Sequence, residues 1–381
     1  MPANASVLTV IATIDGPLVR VSSDLFEINI SVEGKATAQP RTRNFALWLS
    51  LPIAMAAARD LHISGSVSPA ALANAQALVD IWSRWLPALF HPIRISAAEI
   101  ICPGNDPSFG HDLMLYSGGV DSTYSLLKNY INTSTPVSLL TIHGMDYQTT
   151  DQNRFEKLKN KIKPLTTQIR GKHYFIKSNA ADVMSKFGIN GGIGHGFHLF
   201  GNLFLFEDDY TCGAIAADCT PTLDFIISPW GTNHLTNPMF SSERFHIKTL
   251  DSDIDRAEKV GKLLALDGKE HALAALTFCK NRQSRPENCG MCSKCIRTKA
   301  MFYTETGAIP DIFAERSFKP TDLAEIDLSR RGERALVLDL LASARRNDKA
   351  REFEWLEKQI KRKPKPKSKP RLKKLLKKLP F

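Results

Sequence analysis

Tyr116-Ser117-Gly118-Gly119-Val120-Asp121-Ser122-Thr123 stands between a short apolar run, Leu113 to Tyr116, and a stretch with helical spacing, Thr123 to Tyr130. Paired glycines let the backbone turn tightly and aim successive N–H groups at one point. The start of a helix adds the positive end of its dipole, and Ser117 and Ser122 add hydroxyl donors. Together these features describe a cradle for phosphate. It is not of the Walker type, because no Gly-Lys-Ser/Thr follows the loop. A carboxylate inside a phosphate site repels the ligand unless a cation intervenes, so Asp121 predicts a Mg²⁺ ion bridging it to the phosphates. The competing reading is a plain glycine-rich turn from strand to helix.

Outward from this loop the chain repeats strand, turn and helix. Leu113 to Tyr116, Val137 to Ile142, Tyr174 to Lys177, Cys212 to Ala217 and Phe245 to Leu250 read as strands. Helical stretches fall between them at Gln152 to Lys161, Gly196 to Phe206 and Asp253 to Leu266. This alternation predicts an α/β fold with a doubly wound parallel sheet. Ligands of such sheets bind at the carboxyl ends of the strands, so the loops at 117–122, 143–147 and 191–196 are expected to converge. His143 and Asp146 lie close to where the ring of a ligand or a reacting carboxylate would sit; a simple turn is the alternative. Gly191 to Gly196, with His195, reads as a ligand-side loop or as an ordinary surface loop. Pro229 to Pro238 reads as a substrate lid, a protein-binding groove or a long loop.

Before the Pro103-Gly104-Asn105-Asp106-Pro107 break, residues 1–105 read as a separate α+β unit. It has strand-like runs at Val7 to Ile14, Leu25 to Val32 and Ile93 to Ile101. A helix opens at Ser68-Pro69, with Trp82 and Trp85 expected in the core. The predicted organisation is 1–105 accessory domain, 106–305 core domain, 306–360 helical segment and 361–381 basic tail.

Cys279, Cys289, Cys292 and Cys295 form Cys-x9-Cys-Gly-Met-Cys-Ser-Lys-Cys. Four thiolates at this spacing suit a closed tetrahedral Zn²⁺ site, with Gly290 easing the tight knuckle. A redox or sulfur-transfer role for one Cys-x-x-Cys pair is the rival.

The hexapeptide Ser117 to Ser122 resembles the PP-loop of the N-type ATP pyrophosphatases. That superfamily, with its HUP-like fold, cleaves ATP between the α- and β-phosphates and adenylates an oxygen of its substrate. The resemblance implies that Tyr116, Ser117, Gly118, Gly119, Val120, Asp121, Ser122, Ile142 and His143 bind ATP, with Ser117, Asp121 and Ser122 acting in catalysis. A PP-loop followed about 160 residues later by Thr277-Phe278-Cys279, the remaining cysteines and Arg297 resembles the QueC family, the 7-cyano-7-deazaguanine synthases. The likeness spans about Asp112 to Phe302. It implies a ligase that adenylates a 7-deazapurine carboxylate and passes it to an amine. Two departures stand out: about 105 residues precede the PP-loop, and His143-Gly144-Met145-Asp146-Tyr147 replaces a Tyr-Gly-Gln-Arg-like segment. The chain is similar to longer QueC-like paralogues of bacterial antiphage operons, where the amine belongs to a protein. The alternatives are a tRNA-modifying PP-loop enzyme, thiolase or lysidine synthetase-like, and an inactive scaffold.

The net charge of +11 belongs to the end of the chain. From Lys361 to Phe381 there are eleven Lys or Arg and no acid, leaving 39 basic against 39 acidic residues before it. A neutral body supplies no electrostatic footprint for extended nucleic acid. Within the tail, Lys361 to Pro370 alternates Lys with Pro as a linker, and Leu372, Leu375, Leu376 and Leu379 then share one helical face. Such a segment suits an anionic membrane surface, an acidic partner or nucleic acid; a solvated tail is the alternative. The longest apolar run, Leu47 to Ala58, is interrupted by Ser50 and Pro52 and falls short of the roughly 18 residues of a membrane span. The expected location is the cytoplasm.

Overall fold

The computed structural model describes residues 7–33, 40–102, 104 and 110–361. The readings of residues 362–381 and of most of the 103–107 break lie outside them.

Ten strands form one sheet: β1 (Leu8–Asp15), β2 (Leu18–Ser22), β3 (Glu27–Glu33), β4 (Leu61–Val67), β5 (Ile95–Ile100), β6 (Asp112–Leu115), β7 (Val137–His143), β8 (His173–Ser178), β9 (Cys212–Ala216) and β10 (His246–Leu250). Their order is β10-β9-β6-β7-β8-β3-β2-β1-β4-β5. Pairing is parallel from β10 through β8 and again across β1, β4 and β5. It is antiparallel where β3 joins β8 and through the β1-β2-β3 meander. The strands before and after the 103–107 break therefore share one sheet.

The helices that cover it are α1 (Asn44–Ala56), α2 (Pro69–Trp85), α3 (Val120–Leu126), α4 (Gln152–Thr166), α5 (Ala180–Lys186) and α6 (Gly191–Leu203). They are followed by α7 (Pro221–Ile227), α8 (Arg256–Leu263), α9 (Lys269–Ala275), α10 (Ser293–Thr306), α11 (Arg331–Arg346) and α12 (Glu354–Lys361). Side chains alternate across a strand, and the central strands show it. Leu113 and Leu115 enter a core with α1, α2, α5 and α6, while Met114 enters a second core with α3, α4, α8, α10 and α11. Helices thus lie on both faces. Every residue of β7 is buried, as a parallel strand covered on both sides requires.

Four elements depart from the sequence expectation or add to it. The Leu47 to Ala58 run, for which no element is predicted, forms most of α1, buried along nearly its whole length. Ser50 Oγ donates to the Ala46 carbonyl at 2.6 Å, so its hydroxyl is satisfied within the helix. β2 and β4 also appear where no strand is predicted. Gly191 to Gly196 is not a loop ahead of a helix: it forms the first turns of α6, capped by the Asn190 side chain accepting from Gly192 N. Glycines serve this helix through packing. A Cβ at Gly201 would stand 2.6 Å from Leu49 Cγ, so α6 approaches α1 closely only because that position is bare. Ser68 caps α2 as expected, accepting from Ala71 N, and Trp82 is fully buried. Among the described residues, no helix is long and apolar enough to cross a membrane.

Candidate functional site

β6 is where the strand order reverses: β7 and β8 follow on one side, β9 and β10 on the other. Helices on opposite faces diverge at such a point and leave a crevice at the carboxyl ends of the strands. The Ser117 to Ser122 loop occupies that crevice. Gly118 has φ +74°, and a Cβ there would meet Thr277 Cγ2 at 2.7 Å. Its carbonyl accepts from Thr277 N at 2.8 Å, which docks the loop onto the segment after α9. The two serine hydroxyls lie 3.3 Å apart, and Gly119 N donates to Ser117 Oγ.

Asp121, in the first turn of α3, meets α8. Arg256 grips its carboxylate with Nε at 3.1 Å and Nη2 at 2.6 Å, and Lys259 Nζ stands 3.6 Å away while donating to the Ala217 carbonyl. Burial alone pushes the Asp121 carboxyl up, but Arg256 and then Lys259 outweigh it and hold it below the ordinary carboxylate range. Where the sequence predicts Mg²⁺ as the compensating cation, the protein supplies an arginine and a lysine of its own.

A polar recess of about 160 Å³ opens beside this pair. Ser117, Gly119, Val120, Asp121, Thr277 and Thr298 line it together with four cations, Arg256, Arg285, Lys294 and Arg297. Only two carboxylates, Asp121 and Asp146, oppose them, so the recess suits an anion. Arg285 is held in place by Asp146 Oδ1 at 3.1 Å and by the Cys279 carbonyl at 2.5 Å. Arg297 pairs with Glu333.

Two of these cations are placed by the cysteines. The four sulfurs lie within 4.8 Å of one another, with Cys279 and Cys292 3.9 Å apart and Cys289 and Cys295 also 3.9 Å apart. A tetrahedral Zn²⁺ with bonds of about 2.3 Å spaces its sulfurs about 3.8 Å apart, so this set fits a structural zinc ion. Disulfides, with sulfurs about 2.05 Å apart, do not match. Backbone N–H groups of Lys280, Met291 and Cys292 point at the sulfurs at 3.3–3.4 Å. Gly290 has φ +79°, and a Cβ there would run into the Glu315 carbonyl. Cys292 is the N-cap of α10 and Cys295 lies in its first turn. The knuckle therefore fixes the start of the helix that carries Lys294, Arg297 and Thr298 to the recess.

On its other side the loop faces a larger cavity of about 500 Å³. Ser117, Gly119, Asp121, Asp146, Tyr147 and Lys294 line both spaces, so the two meet at the Ser117 to Ser122 loop. Leu115, Leu140, Ile142, Met145, Leu199 and Ile215 make its walls apolar. Tyr116, Ser122, Gly191, Gly192, His195, Asp218, Trp230 and Thr232 add polar groups and one indole ring. The loops at 117–122 and 143–147 and the start of α6 converge as expected.

Not every predicted residue reaches the crevice. His143 lines neither space: it is buried, stacked on Phe155 with centroids 4.3 Å apart, and bonded through Nε2 to the Gln148 carbonyl at 2.6 Å. Gly118 acts through backbone docking and lines neither. Arg256, Lys259, Arg285 and Asp218 carry no motif, and Lys294 is only a spacer between two cysteines, so all five escape sequence reading; strand order and the cysteine knuckle together bring them to the loop after β6. No family model, no curated protein and no solved structure matches this chain.

Proposed function

We propose that the chain is an ATP-dependent QueC-like ligase. In this reading it adenylates the carboxylate of a 7-deazapurine such as 7-carboxy-7-deazaguanine and transfers the acyl group to an amine, either ammonia or a protein amine. The observation that carries the reading is one loop, Ser117 to Ser122, shared by a cationic recess and a larger cavity with largely apolar walls. The recess suits the pyrophosphate end of ATP, and the cavity suits planar aromatic ligands. The substrate carboxylate oxygen attacks the α-phosphorus and the bond to pyrophosphate breaks. Arg256, Arg285, Lys294, Arg297 and the loop N–H groups take up the charge of the leaving group. The amine then displaces AMP from the acyl carbon. Bound Mg²⁺ would add charge neutralisation on the phosphates, and bound Zn²⁺ would hold α10 in place.

Three of the four cysteines are buried and all four sulfurs face one another. This favours a closed metal set over the exposed thiolate of a sulfur-transfer enzyme. The test is mass spectrometry of the protein with Mg-ATP and 7-carboxy-7-deazaguanine, with and without ammonium, beside Asp121→Ala. AMP with amide or nitrile from the wild type, and at least about 100-fold less from the variant, supports the reading. No carboxylate-dependent AMP from any deazapurine carboxylate or amine tried would sink it.

A further inference from the structure

Three carboxylates line the larger cavity: Asp121, Asp146 and Asp218. The first is clamped by Arg256 and Lys259, and the second is paired with Arg285. Asp218 has no salt bridge among the described residues. One of its oxygens, Oδ2, accepts from Trp230 Nε1 at 2.9 Å. Asp218 is half-buried and lines the cavity. A carboxylate with no ion pair of its own in such a place can take a charge-assisted hydrogen bond from a cationic group of a ligand.

Position narrows what that group is. Asp218 lies two residues beyond β9, the strand that pairs with β6, so it emerges beside the phosphate cradle. The Arg256 guanidinium feels both Asp121 and Asp218, which places the free carboxylate next to the end of the cavity where phosphate chemistry is proposed. His195, the other group in the cavity able to accept a proton, is already used up. Its Nδ1 lies 2.8 Å from the Gly191 carbonyl, which only accepts, so Nδ1 carries the proton. Nε2 accepts from Thr232 N at 3.2 Å.

We infer that Asp218 binds the incoming amine as its ammonium form and takes its proton, a role that rests on the activation reading above. The proton passes from nitrogen to the free carboxylate oxygen, and the freed lone pair attacks the acyl carbon of the adenylate. The carbon–oxygen bond to AMP breaks with its electron pair leaving on the phosphate. The new nitrogen centre sheds its second proton to the same carboxylate after the first has passed to solvent. The Trp230 indole holds the carboxylate in position, and its ring walls the amine side of the cavity.

The experiment separates the two half-reactions in the full chain. Pyrophosphate exchange into ATP with 7-carboxy-7-deazaguanine reads activation alone. Transfer is read with ammonium chloride and with hydroxylamine, an amine largely unprotonated at neutral pH that needs no base. Asp218→Asn keeps an oxygen for the indole, and the smaller Asp218→Ser is measured beside it, with thermal unfolding as the control for folding. The expected result is exchange and hydroxylamine transfer within about threefold of wild type, with ammonium-dependent kcat/KM down about 100-fold or more. Equal loss of both transfers, loss of exchange in a folded variant, or unchanged use of ammonium overturns the inference while leaving activation standing. No exchange in the wild type removes the activation reading and this role together.

Discussion

Two carboxylates, the half-buried Asp121 and the buried Glu207, are treated in opposite ways. Asp121 sits among cations at the carboxyl end of β6 and is held in its charged form by Arg256 and Lys259. Glu207, beyond α6, sits among neutral donors: Asn44 Nδ2 at 2.9 Å, Ser242 Oγ at 3.3 Å and the Thr42 hydroxyl. Burial pushes its carboxyl up to about 7, and those hydrogen bonds only partly restrain it. The difference separates a part of the molecule built to meet charge from a part built to close a core. Where a ligand's charge must be accommodated, the protein brings its own opposite charges. Where α1 and α6 must only be pinned together, hydroxyl and amide groups suffice.

The largest effect should come from removing what holds the charged side in place. Cys295→Ser, or stripping the metal with a chelator, should release the start of α10 and withdraw Lys294 and Arg297 from the recess. Structural zinc sites carry roughly 10–16 kcal/mol of apparent binding free energy that is also folding free energy. Expected outcomes are loss of about one zinc per chain by elemental analysis, a lower unfolding temperature and loss of nucleotide binding, with the β1–β5 end of the sheet less affected in hydrogen exchange. Unchanged stability after the chain has been shown metal-free would show that the knuckle is not a metal centre. Next comes Arg256→Met, which leaves the half-buried Asp121 carboxylate with Lys259 alone. Breaking a fully buried pair from one side typically costs about 3–5 kcal/mol, and this partly exposed pair should cost less. Adding Asp121→Asn should recover a good part of that loss in denaturant titrations, because no charge then needs a partner. If the two losses simply add, Asp121 is not held as the geometry indicates.

The loop at the centre of the charged side is legible in the sequence, and the reason is local. Ser117 to Ser122 condenses a strand end, a tight turn and a helix start into six residues, and Val137 to Ile142 carries apolar residues on both faces, with only Ser138 and Thr141 between them, as suits a central parallel strand. Ser68 with Pro69 announced α2 in the same way. What the chain hides is whatever depends on distant partners. Arg256, Lys294 and Asp218 look like any surface charges until β9 is seen beside β6 and the knuckle beside α3. α1 hid for another reason. A helix buried all round has no apolar stripe, so Ser50 and Pro52 read as interruptions, whereas the Ala46 carbonyl absorbs the serine hydroxyl. His143 illustrates the reverse error: a titratable residue at a strand end is placed in the crevice by analogy, but its ring turns away to stack on Phe155.

The neutral side gives the smallest effect and the one with a defined sign. A carboxyl whose folded pKa lies above its unfolded value binds protons more tightly when folded, so its contribution is fully present below about 4.5 and is lost as pH rises toward about 7. That displacement, from 4.5 to about 7, is worth about 3 kcal/mol at most, all of it spent by pH 8. Glu207→Gln removes the titration but also gives the side chain an N–H₂ group. The amide oxygen can keep Asn44 Nδ2 and Ser242 Oγ as donors and Thr42 can turn its hydroxyl to accept one N–H, which leaves the second N–H without a partner. The expected outcome is a variant somewhat less stable than wild type at pH 5, where the wild-type carboxyl is protonated and well bonded. By pH 8 the gap should narrow or reverse, as the wild-type group must then be buried charged. Urea titrations at both pH values read the crossing directly. Parallel stability curves across that range would mean that Glu207 stays charged in the core, and the contrast with Asp121 would then vanish.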